Sequence, residues 1–329
     1  MRKTGTSLRL DPDWLQQLRL PVVAAPMFLA SGLELVTAAC RAGVIGAFPA
    51  SNARTPEILD GWFDRLADDL GQGDAPYAVN LVLARGMEDN ARAQLVLKRE
   101  PPILITSVGD PSSTVRRVHD WGGLAFHDVT TVRHAEKAAE AGVDGIILVC
   151  AGAGGHSGAV SPFALLPQVR ERFGGLIVLA GAISDGRAIL AAQALGADLV
   201  YMGTRFLATQ ESLAPDAYKA MVVAAETKDI LYTPAISGLP ANFMRQSIEA
   251  AGLDPAALPP PKGLHQGDLP NGLHAWRDIW SAGQGAGLVH DIPTTAALVD
   301  RLEADFQAAQ HALTHPRRSV TSPFPVATD

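Results

Sequence analysis

The sequence predicts an α/β fold: a closed (β/α)8 TIM barrel with a small, mainly helical insertion domain near the C-terminus. Three observations point to it. Short apolar runs recur eight times between residues 21 and 202. They are apolar throughout, as parallel strands buried on both faces are. Helical patterns separate them, and no G-x-G-x-x-G follows the first run, where an open dinucleotide-binding sheet would carry it.

In order, the runs are Pro21 to Ala25, Val44 to Phe48, Tyr77 to Leu81, Ile103 to Thr106 and Gly123 to His127. Gly145 to Val149, Leu176 to Ala180 and Asp198 to Met202 complete the set. Between them, Val132, Ala135, Ala138 and Ala139 form one helical stripe. Ile189 to Leu195 reads likewise after Asp185-Gly186-Arg187. Both helices end in a matching unit, Ala141-Gly142-Val143-Asp144 and Leu195-Gly196-Ala197-Asp198. A glycine there suits the left-handed residue that closes a helix.

The pattern changes after Glu211. Residues 229–271 are rich in Pro and Gly, including Pro259-Pro260-Pro261, and read as an irregular, partly helical lid. Helical spacing resumes at Thr294 and runs to about His311, closing the barrel. The expected division is a barrel of residues 1–210 and 276–315, a lid of 211–275 that shapes the substrate pocket, and a mobile tail of 316–329. In the lid, Tyr232, Phe243, Met244 and His265 suggest an apolar cavity.

Bulk properties narrow the function. A length of 329 residues accommodates one large barrel. A net charge of −7, with no basic stripe to neutralise phosphates, argues against nucleic acid as a partner; the pairs Arg116-Arg117 and Arg317-Arg318 read as solvated surface. Cys40 and Cys150 stand apart in apolar contexts and read as buried free thiols of a reducing compartment. Met1 to Thr4 leads into polar residues rather than a signal segment, and no apolar run has the length to cross a bilayer. A cytoplasmic protein without a membrane partner is expected; a homodimer stays open. Apart from His311 and His315 the remaining histidines show no paired ligand spacing, so no metal site is expected, and no G-x-S-x-G elbow supports a serine nucleophile.

Barrel chemistry belongs at the C-terminal ends of the strands. There the sixth run enters Ala151-Gly152-Ala153-Gly154-Gly155-His156-Ser157-Gly158, a loop of small residues with one imidazole. Such a loop lets backbone approach a bound group closely. An imidazole near its ordinary pKa gives or takes a proton at pH 7. His156 is therefore the candidate base; the alternative is a hydrogen-bonded loop histidine. Gly181-Ala182-Ile183-Ser184-Asp185-Gly186 and Gly203-Thr204 follow the last two runs and read as a phosphate cradle, or else as tight turns. Asn80 either meets a ligand edge or caps the following turn. His127 is a ligand contact, or its neighbours Asp128 to Thr131 cap a helix.

Together these pieces resemble the nitronate monooxygenase family, formerly 2-nitropropane dioxygenases. The matching segments are Ala25-Pro26-Met27, Val79-Asn80-Leu81, the loop of residues 151–158, Leu179 to Arg187, Ala197 to Phe206, and Ile279 to Gly285. The resemblance implies an enzyme, an FMN-dependent flavoprotein acting on a small-molecule substrate and O2. Alkyl nitronates or nitroalkanes would be oxidised to a carbonyl compound and nitrite, with His156 as the base. It implies FMN phosphate near Gly181, Ala182, Gly203 and Thr204. The ring would lie near Pro26, Met27, Asn80, His127, Ala151, Gly154 and Gly155, with Tyr201, Met202 and Gln284 close by. Relatives of the same fold reduce quinones or enoyl thioesters with NAD(P)H, which gives the alternative activity. A non-catalytic barrel that binds a phosphate ligand is a third reading. Two departures stand out. Related barrels commonly carry Lys just after strand five, where this chain has Phe126-His127-Asp128; a carboxylate there would disfavour anionic reduced flavin. Ala182 replaces a second glycine, which is tolerable at negative φ.

Overall fold

A computed structural model describes residues 13–83, 90–258, 260 and 269–315. Eight parallel strands close into a barrel. In chain order they are β1 (Val22–Ala24), β2 (Ile45–Pro49), β3 (Tyr77–Val82), β4 (Ile103–Ser107), β5 (Leu124–Val129) and β6 (Gly145–Val149). A two-residue strand, β7 (Gly155–His156), stands outside the barrel; β8 (Leu176–Ala180) and β9 (Leu199–Met202) complete it. Closure is direct: β9 pairs with β1 through Val22 and Val200.

The barrel explains why the strands read as unbroken apolar runs. Ile45, Ala78, Ile105, Phe126, Ile147, Val178 and Leu199 fill the axis. The alternate residues, among them Val79, Leu104, Ile146, Leu179 and Val200, pack under the helices. Successive side chains point to opposite faces of a strand, and here both faces are dry. Cys40 and Cys150 are buried free thiols.

The helices are α1 (Leu33–Arg41), α2 (Pro56–Asp69), α3 (Ala91–Arg99), α4 (Ser112–Asp120), α5 (Val132–Glu140), α6 (Pro162–Arg170) and α7 (Gly186–Leu195). After β9 come α8 (Thr204–Leu207), α9 (Asp216–Ala224), α10 (Arg245–Ala250) and α11 (Thr295–Thr314). Thr55, Asn90, Thr131, Asp185 and Thr294 each accept a first-turn N–H, so polar N-caps set these starts. Helix α11 packs on α7 and α1. A Cβ at Gly186 would lie 2.2 Å from the Phe306 nitrogen, so this glycine serves the α7–α11 approach rather than a phosphate. No helix among the described residues is long and apolar enough to cross a membrane.

The lid contains more strand than its Pro/Gly content suggests. Strands β10 (Ile230–Thr233) and β11 (Ala241–Met244) form an antiparallel hairpin, and β7 adds to the free edge of β11. Phe243, Ile236, Ile248, Leu269 and Ile279 form a core of their own here. His265 and the tail of 316–329 lie outside the described residues.

The matching αβ units have one shared structural job. Gly142 and Gly196 close their helices at φ 83° and 110°. Asp144 then accepts the Ala125 N–H at 2.8 Å, and Asp198 accepts the Ile177 N–H at 2.7 Å. Each carboxylate pins the foot of the preceding barrel strand. Each also meets a cation-capable side chain, His119 or Arg170. Replacing Asp198 by Ala leaves a strand N–H without its acceptor and Arg170 without its carboxylate partner. The expected loss is about 1–3 kcal/mol, read as a lower midpoint in chemical denaturation.

Candidate active site

A cavity of about 1530 Å³ opens at the C-terminal end of the barrel. Pro26, Met27, Asn80, His127, Gly154, Gly155, His156, Gly181, Ala182, Tyr201, Gly203 and Thr204 all line it. Ala151, Met202 and Gln284 are not on its wall. Met202 follows Tyr201 by one residue, so it faces the outer layer while Tyr201 faces the axis. Ala151 stays at the base of its loop, donating to the Val160 carbonyl at 2.9 Å. Gln284 runs behind the Gly152 turn and donates its N–H to the Gly152 carbonyl at 2.9 Å.

His127 lies within β5 rather than after it, and faces the outer side of that strand. Thr106 gives its hydroxyl proton to the Phe126 carbonyl, so the 2.7 Å contact to His127 Nδ1 has the imidazole as donor. Burial pushes this histidine down to about 4. The helix cap in this segment is Thr131, whose hydroxyl accepts the His134 N–H at 3.2 Å.

Glycine brings three backbone segments together. A Cβ at Gly181 (φ 141°) would lie 2.8 Å from the Ala151 carbonyl, and one at Gly154 would lie 3.0 Å from the Gly283 nitrogen. Ala182 sits at φ 54°, so the negative φ that would make alanine tolerable without strain is not the one adopted. The turn demands a left-handed residue there, and a methyl group tolerates that at about 1–2 kcal/mol. Among the described residues, the N–H groups of Gly181, Ala182 and Gly203 make no loop hydrogen bond. They form a cluster of free donors suited to an anion. Thr204 Oγ1 accepts from the Gly283 N–H at 2.8 Å and keeps its own proton to donate.

The His156 loop is held by the lid. His156 and Gly155 pair with Ala241 and Asn242 of β11. The Gly155 N–H donates to Ser281 Oγ at 2.7 Å, and Ser281 Oγ donates to the Asn242 carbonyl at 2.6 Å. The Asn242 amide donates to the Ala153 carbonyl at 2.6 Å, and the Tyr232 hydroxyl to the Ser157 carbonyl at 3.0 Å. The imidazole stands edge-on to Trp276, with ring centres 4.9 Å apart. Its Nε2 is 3.1 Å from Ser237 Oγ. Ser237 spends its only proton on the Leu239 carbonyl, so Nε2 carries the hydrogen and Nδ1 keeps a free lone pair. Partial desolvation holds this histidine below its ordinary range.

Deeper in the barrel lies a polar chain. Asn80 donates to Ser107 Oγ at 2.7 Å, and Ser107 donates to Asp128 Oδ2 at 2.5 Å. Asn80 thus turns inward and caps nothing. Burial pushes the Asp128 carboxyl up to about 6, against the Ser107 hydrogen bond. Ser107 was accessible to sequence reasoning, since it shares the inward face of β4 with Ile103 and Ile105. Ser237, Asn242 and Trp276 were not, because the lid has no periodic pattern to place them.

Several known proteins share this architecture. A structure of FabK from Thermotoga maritima has a TM-score of 0.75, 25% identity, and covers 92% of this chain and 97% of its own. A nitroalkane oxidase from Streptomyces ansochromogenes has a TM-score of 0.74 and 27% identity, over 91% of this chain and 99% of its own. A nitronate monooxygenase of Paraburkholderia phytofirmans is 28% identical over 87% of this chain and 92% of its own. An octahydroindene-carboxyl-CoA dehydrogenase of Rhodococcus jostii is 27% identical over 91% of this chain and 96% of its own. Its Mycobacterium tuberculosis namesake is 28% identical, over 69% of this chain and 64% of its own length. The sequence profile of the nitronate monooxygenases matches residues 72–305, well over half of the chain. The protein is accordingly an oxidoreductase enzyme that belongs to the nitronate monooxygenase family.

Proposed function

We propose that this enzyme uses FMN and oxidises nitroalkanes or alkyl nitronates with O2 to a carbonyl compound and nitrite. One observation carries the reading: His156 faces the cavity with Nε2–H committed to Ser237 and Nδ1 free. A neutral imidazole with one bare nitrogen is a base ready for an acidic C–H.

The residues present fit FMN. Free N–H groups at Gly181, Ala182 and Gly203 would hold its phosphate, with the Thr204 hydroxyl beside them. Met27, Asn80, Gly154, Gly155 and Tyr201 would border its ring. When bound, the flavin supplies an electron acceptor that O2 can reoxidise. The chain's own residues do the rest. His156 Nδ1 takes the α-proton of a neutral nitroalkane. Ser237 keeps the ring in the tautomer that allows this, and Trp276 packs against its edge. Partial desolvation at the cavity edge favours the neutral imidazole, because it disfavours the imidazolium.

A second reading, NAD(P)H-dependent reduction of quinones or enoyl thioesters, is favoured by the size of the cavity. Its rim carries Phe28, Val82, Val108, Val160 and Tyr232, all large apolar groups left exposed. That suits a substrate bulkier than a short nitroalkane. Anaerobic mixing decides: bleaching of the flavin by NADH supports this reading, and oxygen uptake with propyl-2-nitronate supports the first.

His156→Ala is expected to lower turnover of neutral nitroalkane by roughly 10²–10⁴-fold while flavin content is kept. Unchanged turnover would rule the base out. Ser237→Ala removes a hydrogen bond of about 1 kcal/mol, so kcat/KM should fall by about fivefold with flavin still bound. His156 must be neutral to act, and desolvation lowers its pKa from 6.5. Activity on neutral nitroalkane should therefore hold through pH 6.5 and decline only on the acid side of it. A midpoint above 6.5 in the pH profile would contradict the assignment.

A further inference from the structure

Among the described residues, two buried polar atoms on the barrel axis have no partner: Asp128 Oδ1 and the Tyr201 hydroxyl. Both residues line the cavity. Leaving such groups unpaired costs about 1–3 kcal/mol each, a cost that a ligand atom would relieve. Asp128 is oriented by Ser107, which is oriented in turn by Asn80. The second Asp128 oxygen is buried and is left without a hydrogen-bond partner.

We propose that Asp128 Oδ1 and the Tyr201 hydroxyl form the inner contact for the flavin ring system, and that charge on Asp128 opposes reduction of that ring. The inference rests on the FMN reading above. Polar atoms along the flavin's pyrimidine edge include an N–H donor and carbonyl acceptors, which match a carboxyl and a phenol. A carboxylate in a low-dielectric pocket repels the negative charge that reduction brings.

The surroundings leave Asp128 electrostatically isolated. Strand β4 offers Ser107 and β3 offers Asn80, both neutral. Strand β6 presents Ile147 and Val149 to the axis. Tyr201 on β9 is the titratable group that feels Asp128, and its own pKa is raised by burial and by that carboxylate. Next in sequence, His127 faces the other side of β5, where Asp110 and His134 act on it. Lys137 and Glu140 of α5 line the cavity but do not act on Asp128. With burial placing Asp128 near 6, it changes charge inside the working pH range.

The test is the flavin reduction potential of the holoenzyme, measured between pH 5 and pH 8 with reference dyes. At pH 8, Asp128→Asn should favour the reduced flavin by at least tenfold, about 30 mV for a two-electron couple. At pH 5 the variant and the parent should agree within about threefold, since Asp128 is then neutral in both. Ser107→Ala removes the hydrogen bond that favours the carboxylate, so the pH at which the parent's potential changes slope should rise. Tyr201→Phe should weaken FMN binding several-fold at both pH values. Equal potentials at pH 8, or the same difference at both pH values, would overturn the inference even with flavin bound. A parent protein that binds no flavin at all would instead remove the FMN reading.

Discussion

The site depends on one backbone pairing, that of Gly155 and His156 with β11. A loop of glycine and alanine has almost no side-chain surface with which to hold itself. Fixing each of its residues costs about 1–2 kcal/mol of backbone entropy. Here that cost is offset by hydrogen bonds borrowed from elsewhere, from Ser281, Asn242, Tyr232 and the Pro240 carbonyl. Ser281 is the centre of this arrangement. It accepts from Gly155 and donates to β11, and its backbone N–H and carbonyl both bond the Tyr218 hydroxyl of α9. The glycines that make room for a cofactor therefore require a lid that restrains them.

Much of this was legible in the sequence, for physical reasons that can be named. Strands buried on both faces must be apolar throughout, so all eight barrel strands were visible as runs. Period-two alternation already separates Tyr201 from Met202 once the strand is known. The hairpin of β10 and β11 was not legible, because its side chains follow no alternation and Pro/Gly content reads as loop. The conformation of Ala182 escaped for another reason. A positive φ imposed by neighbouring backbone leaves no trace when the residue is not glycine. Ser237 came to notice only through the fold, since a single serine in an irregular lid carries no pattern.

Burial acts on the two chemical groups of the cavity in opposite directions on the pH scale and with one effect. It lowers His156 and raises Asp128, and in both cases the neutral form gains. The cavity thus favours the neutral form of both groups, an imidazole at its edge and a carboxyl within. Separated roles of this kind are set by environment rather than by residue type.

The pairing of β7 with β11 also has a bearing on how the molecule comes into being. Residues 155–156 are joined to partners at 237–242 and 281, well beyond the last barrel strand. Each of these partners follows the loop in the chain and is synthesised after it. During synthesis the barrel strands are complete by Met202, while the histidine loop still lacks every one of these partners. The order of synthesis therefore bears on the site: the barrel strands come first, and the histidine loop gains its restraints only when the last third of the chain has docked.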